Sequence, residues 1–240
     1  MNAGELARHI DHTLLRPEAT EPEVRRVVEE AAEHGFAAVC IPPVHVALGA
    51  ELLAGTAVRV GTVVAFPLGY SHPAVRRAES LQAIADGADE LDTVLNVSWL
   101  KGGEDGRVLD DLSAWVEAAR AASENEGRPG LTLKVILETA LLTDAEKIRA
   151  ARLAVECGAD FVKTSTGFAK SGATVADVRL LAASIAGIAD SAGISGRVGV
   201  KASGGIRDLE TALALLDAGA TRLGTSSGVA LVRALAVHSP

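Results

Sequence analysis

The sequence predicts an α/β fold: a closed barrel of eight parallel strands, a helix after each, and a short extension before the first. Three observations predict it. The chain has 240 residues, close to the usual size of one such barrel and enough for one substantial core. It is 48% hydrophobic but only 3% aromatic, so its core is built from Ala, Val, Leu and Ile, as suits buried parallel strands under Ala-rich helices. Short β-branched runs alternate with amphipathic Ala/Leu/Glu/Arg stretches along the whole chain.

The expected strands lie at 10–13, 37–41, 58–66, 90–96, 131–137, 160–164, 198–202 and 221–224. The first is short and polar. Helical patterns fall near 21–34, 43–53, 73–86, 107–126, 143–157, 174–192, 207–218 and 227–236. Helix starts are marked by Thr20-Glu21-Pro22-Glu23, with Pro in a first turn, and by the capping-box pattern Thr143-Asp144-Ala145-Glu146. Helix ends are marked by Gly35, Gly87, Gly158 and Gly219, each just before a strand. Strict alternation with short connections gives a parallel sheet through right-handed crossovers. Eight units favour closure into a (β/α)8 TIM barrel over an open doubly wound sheet. A dinucleotide-binding open sheet would carry Gly-x-Gly-x-x-Gly after its first strand, and none stands there. No Pro/Gly/Ser-rich linker or charge block interrupts the chain, so 1–240 reads as one catalytic domain.

A net charge of −8 argues against a nucleic-acid surface, which needs clustered Lys and Arg. An anionic substrate would need a local positive pocket. The first ten residues hold no long apolar run and no stretch is long enough to span a membrane, so neither signal peptide nor membrane segment is expected, and a cytoplasmic location follows by default. Cys40 and Cys157 have no metal-type spacing and read as buried, reduced thiols. The six histidines are scattered, and no His/Asp/Glu set matches metal-ligand spacing; His9 and His12 read as surface or hydrogen-bonding residues.

In a barrel the working residues sit at the C-terminal ends of the strands. That rule makes polar residues inside apolar strands informative. Asp92 in Glu90-Leu-Asp-Thr-Val, Lys163 in Phe161-Val-Lys-Thr-Ser-Thr-Gly and Lys201 in Val198-Gly-Val-Lys-Ala-Ser-Gly-Gly are three such residues. The two lysines fall on neighbouring strands at similar heights. With an ordinary pKa of about 10.4, roughly one lysine in a few thousand is uncharged at neutral pH. Burial and a second ammonium both disfavour the charged form, so the pair suits an amine nucleophile attacking an aldehyde. The alternative at this point is a Lys–Asp ion pair that merely fills a barrel layer. Lys134 is a third strand lysine in the same field, and Asp11 and Thr13 could either join the network or serve structure alone.

A second cluster suits an anion. Gly204 and Gly205 follow the seventh strand, and Gly224-Thr-Ser226-Ser227-Gly follows the eighth and opens the last helix. Glycines let backbone N–H groups approach a ligand, and a helix N-terminus carries partial positive charge. These are the loops where such barrels commonly hold phosphate; Gly167, after Lys163, adds a donor.

Together these segments resemble the deoxyribose-phosphate aldolase family. Ile10-Asp-His-Thr-Leu-Leu, Phe66-Pro-Leu-Gly, Leu133-Lys-Val-Ile-Leu-Glu-Thr, the Lys163 and Lys201 motifs and Arg222-Leu-Gly-Thr-Ser-Ser carry the likeness in order over nearly the whole chain. The resemblance implies reversible cleavage of 2-deoxy-D-ribose 5-phosphate into acetaldehyde and D-glyceraldehyde 3-phosphate, with no metal and no cofactor. It implies Lys163 as the imine-forming amine, and Lys201 as the residue that depresses its pKa and relays protons. Asp92 would act, through a water, as base for the C3 hydroxyl. Gly167, Gly204, Gly205, Gly224, Ser226 and Ser227 would hold the phosphate. Two departures stand out: Phe168 occupies a place where some members carry lysine, and no tyrosine ends the chain, Tyr70 being the only one. Other readings are a ketose-phosphate aldolase and a non-catalytic sugar-phosphate sensor. A homo-oligomer, dimer or tetramer, is expected.

Overall fold

A computed structural model describes residues 1–192 and 198–238. All eight expected strands form: β1 Ile10–Thr13, β2 Ala38–Cys40, β3 Arg59–Val64, β4 Glu90–Val94, β5 Thr132–Ile136, β6 Phe161–Lys163, β7 Gly199–Ser203 and β8 Arg222–Thr225. Each pairs in parallel with the next, and β8 closes on β1 through Ile10 opposite Leu223. The predicted barrel is the observed one. The helices are α1 Ala3–Ala7, α2 Glu21–His34, α3 Val46–Leu52, α4 Pro73–Ala85, α5 Val97–Lys101, α6 Asp105–Asn125, α7 Asp144–Glu156, α8 Val175–Ala192, α9 Leu209–Asp217 and α10 Gly228–His238. Ser239 and Pro240, the last residues of the tyrosine-free C-terminus, lie outside the described residues.

The sequence signals act as read. Thr143 and Glu146 form a reciprocal capping box on α7, and Gly35 ends α2 at a left-handed φ of 63°. Two helices fall outside the expectation. The N-terminal extension is helical, α1 being held by a capping box between Asn2 and Glu5 with Leu6 fully buried. Helix α5 is started by Asn96, whose side chain accepts from the Trp99 N–H, so the strand expected over 90–96 stops at Val94. At five residues each, neither helix is long enough to show a helical period. The strand expected over 58–66 also stops early, because Ala65 turns to φ 52°.

Register decides what faces the lumen. Lys163 lies opposite Lys201, Lys201 opposite Arg222, Asp92 opposite Lys134, and Asp11 opposite Gly224. With a side-chain period of two, these residues and Glu90 share the inner face, while Leu91, Leu133, Val135, Val162, Val200 and Leu223 face out and are buried beneath the helices. Barrel interiors are usually filled by bulky branched side chains; here one layer is charged. Gly224 makes room for it, since a Cβ there would stand 3.1 Å from Lys201 Cε and 2.9 Å from Ser203 Cβ.

Candidate active site

The charged layer is built around Asp92. Its Oδ2 accepts from Lys163 Nζ and from Lys201 Nζ, both at 2.7 Å, and its Oδ1 accepts from Lys134 Nζ at 2.8 Å. Lys134 also donates to Glu90 Oε2 at 2.6 Å. Lys201 Nζ pairs with Asp11 Oδ2 at 2.5 Å. Arg222 closes the ring, donating through Nε to Asp11 Oδ1 at 2.7 Å and through Nη2 to both Glu90 oxygens at 2.8–2.9 Å. Asp11, Glu90, Asp92, Lys134 and Lys201 are each 1% exposed and Lys163 3%.

The network joins four cationic side chains to three carboxylates. In a buried site one excess charge is expensive, so the layer is neutral when one amine gives up its proton. The individual groups show which. Burial opposes ionisation of Asp92, yet Lys134, Lys163 and Lys201 together hold its carboxyl well below the usual range. Burial likewise opposes the charge on Lys201, but Asp11 and Asp92 outweigh it and raise its pKa. Lys134 is raised too, burial being outweighed by Asp92 and Glu90. Lys163 is the exception. Burial pushes its amine down, Asp92 pulls it back up, and Lys201 pushes down again, leaving it below its ordinary value. Burial and the second ammonium both act as expected, and burial is the larger cause.

Above the layer, at the C-terminal ends of β6, β7, β8 and β1, opens a cleft of roughly 430 Å³ with Lys163 in its wall. Gly167, Gly204, Gly205, Gly224 and Ser226 line it, as expected. Gly167, Gly204 and Gly205 have φ of 87°, 86° and 80°, a backbone that favours glycine. Ser227 is not among the lining residues; it opens α10, and its N–H donates to Thr225 Oγ1 at 2.9 Å. Phe168 lines the cleft and meets Phe66 edge-on at 5.3 Å. A larger surface cleft of roughly 520 Å³ holds Tyr70, Trp99 and Arg107, but no member of the charged layer.

Several contributors lie beyond Asp92, Lys163 and Lys201. Asp11, left open between network and structure, joins the network; Thr13 lines the cleft. Glu90 and Arg222 were not singled out at all, although their even spacing from Asp92 and Gly224 carried the signal. Arg207 also lines the cleft, as does Arg16, which is paired with Glu18 and Glu23. The other assignments hold: His9 Nδ1 meets the Thr221 carbonyl and His12 Nε2 meets Glu30, both at 2.8 Å, and Cys40 and Cys157 are buried free thiols. Cys40 is nonetheless in the lumen, with burial raising its thiol pKa beside Lys201 and Lys163. Among the described residues no helix is long and apolar enough to cross a membrane.

Comparison with known proteins places the chain in a family. Residues 6–237 match the family described as DeoC/LacD family aldolase. A deoxyribose-phosphate aldolase of Enterococcus faecalis is 48% identical over 95% of this chain and 96% of its own, and one of Brevibacillus brevis is 49% identical over 94% of each. Among solved structures, the deoxyribose phosphate aldolase of Aeropyrum pernix, described as a tetramer, superposes with a TM-score of 0.85 at 34% identity, covering 99% of this chain and 94% of that one. With the lysine–aspartate layer in place beneath a glycine-lined cleft, the chain belongs to the DeoC/LacD family of aldolases.

Proposed function

We propose that this aldolase reversibly cleaves 2-deoxy-D-ribose 5-phosphate into acetaldehyde and D-glyceraldehyde 3-phosphate through an imine on Lys163. The observation that carries the reading is Lys163 itself: one amine in a buried, cation-rich layer has its pKa lowered while its lysine neighbours are raised, and it faces the cleft.

Neutral Lys163 attacks the sugar's aldehyde carbon, and the carbinolamine loses water to give a protonated imine. Lys201, kept as an ammonium, is placed to donate the proton that leaves with that water. Asp92, bonded to both amines, accepts the C3 hydroxyl proton, directly or through a water. The C2–C3 electron pair then moves into the imine, releasing glyceraldehyde 3-phosphate and leaving an enamine, which is protonated at C2 and hydrolysed to acetaldehyde. Gly167, Gly204, Gly205, Gly224 and Ser226 offer the phosphate a backbone-lined seat, with Ser227 at the start of α10 behind them and Arg207 supplying charge. The relatives named deoxyribose-phosphate aldolase support the choice of sugar.

Acetaldehyde with borohydride should leave a reduced two-carbon adduct on Lys163, located by peptide mass spectrometry, and the purified chain should release acetaldehyde from the sugar phosphate equally with and without a chelator. Trapping by dihydroxyacetone phosphate in place of acetaldehyde would move the assignment to a ketose-phosphate aldolase. A homo-oligomer fits the tetramer described for the Aeropyrum pernix relative; light scattering tests it.

A further inference from the structure

Glu138 has no task in the chemistry above, yet its placement is costly. It follows β5 at φ 57°, in the left-handed region, and is 4% exposed. A buried carboxylate and a left-handed non-glycine backbone are each unfavourable. Its Oε2 accepts the Thr166 N–H at 3.3 Å and the Thr166 hydroxyl, while its Oε1 has no hydrogen-bond partner among the described residues. Thr166 Oγ1 in turn accepts the Phe168 N–H at 3.0 Å.

This chain of bonds brackets Gly167, whose Cα packs against Gly204 so closely that a Cβ on Gly204 would lie 3.4 Å from it. The loop is tied from its other side by Ser203, whose hydroxyl donates to the Ser165 carbonyl at 2.6 Å. Ser203 therefore fixes the segment before Thr166, and Glu138 fixes the segment after it. Glu138 does not line the glycine cleft. It lines a smaller cavity of roughly 230 Å³ behind the loop, with Leu68, Leu141 and Phe168. A carboxylate facing the cleft would repel an anion; behind Thr166 it orients the loop through a charge-assisted bond instead.

We infer that Glu138 is a positioning residue that presets the 166–168 loop for the substrate's phosphate, acting through Thr166, so that selectivity for a phosphorylated over an unphosphorylated aldehyde depends on it. The inference rests on the reading of the glycine cleft as a phosphate seat.

The test is kcat and KM for deoxyribose 5-phosphate and for unphosphorylated 2-deoxyribose, in wild type, Glu138→Gly and Glu138→Gln. Glycine accommodates the backbone but offers no acceptor; glutamine still presents a carbonyl oxygen to Thr166. Glu138→Gly should raise KM for the phosphorylated sugar about ten- to hundredfold, the size of losing bonds to a charged group, while kcat/KM for 2-deoxyribose and acetaldehyde trapping on Lys163 hold near wild type. Glu138→Gln should recover most of the loss. Proportional losses on both sugars, no loss in Glu138→Gly, or a glutamine variant no better than glycine would each overturn the inference. A wild-type enzyme that turns over both sugars alike would remove the phosphate seat first and this inference with it, and is read on the unmutated chain alone.

Discussion

Strand β4 supports two buried charge sites, one on each face, and they behave in opposite ways. Asp92 points into the lumen, while its neighbour Thr93 points outward and accepts from Arg76 Nη1 at 2.8 Å. Arg76, on α4 and fully buried, also donates to the carbonyls of Val94 at 2.9 Å and Gly69 at 3.3 Å, and pairs with Asp111 of α6 at 3.3 Å. There Arg76 pairs with Asp111, with Glu79 near the one and Arg107 and Arg77 near the other, and burial dominates both: it lowers the Arg76 pKa and raises that of Asp111 despite their pairing. In the lumen the contacts are shorter and shared, and pairing overcomes burial for Asp11, Asp92, Lys134, Lys201 and Arg222. Lys163 alone goes the other way. A balanced pair served by neutral acceptors pins helices to the barrel; an unbalanced cluster leaves one amine as the odd member. Burial lowers the Lys163 amine most, and the imbalance leaves it lowered where pairing restores the charge of its neighbours.

The largest effect that tests this contrast is on Lys201. Replacing it by Leu leaves three cations against three carboxylates, so Lys163 no longer has to lose its proton. Both consequences have the same sign: the repelling ammonium is gone, and Asp92 is freer to hold Lys163 charged. An amine returned toward the ordinary lysine value of about 10.4 is neutral in roughly one molecule in a few thousand at neutral pH. The Lys201→Leu variant should therefore fold, lose most of its activity, and show the rising limb of its pH–rate profile displaced to higher pH. A limb that stays in place would mean that Lys201 acts otherwise.

Removing Arg76 should do the reverse. Arg76→Met removes the fully buried partner of Asp111, which keeps Arg107 and Arg77 nearby and borders a surface cleft, so the cost falls below that of a fully buried pair broken from one side, at about 1–3 kcal/mol. Denaturant unfolding should register that loss, while the pH–rate profile of the variant, measured at low temperature where it is folded, should match wild type. A shifted profile would show the two faces of β4 to be coupled and the comparison too simple.

How much of this was legible follows from where each residue stands. Lys163, Lys201 and Asp92 sit inside apolar runs, where a charged residue interrupts the pattern and the period of two gives its direction. Glu90 and Arg222 are just as buried or nearly so, but they stand at or next to the first position of their expected strands, and a charge there reads as the solvent edge. Arg76 lies in an amphipathic helix, where arginine is ordinary. Ser227 adjoins Ser226, and only the helix start between cleft and α10 separates their roles. Glu138 was out of reach for a different reason: glycine announces a left-handed turn, whereas a glutamate held at φ 57° by its surroundings does not.

The smallest effect concerns stability. The Lys163 pKa is below its unfolded value of 10.5, so between the two values the unfolded chain binds a proton that the folded chain does not. Stability from this group therefore rises with pH across that window, and its penalty is full below the folded pKa and gone above about 10.5. Lys163→Met removes the penalty and leaves three cations against three carboxylates. The variant, though inactive, should be as stable as wild type or more so by about 1–2 kcal/mol near pH 7, and this margin should narrow as the pH is raised toward 10. Denaturant titrations at pH 7 and 9.5 read the difference directly. A wild type more stable at both, by an unchanging margin, would mean that Lys163 is an ordinary charged member of its cluster, and the contrast between the lumen and the Arg76 pair would lose its chemical meaning.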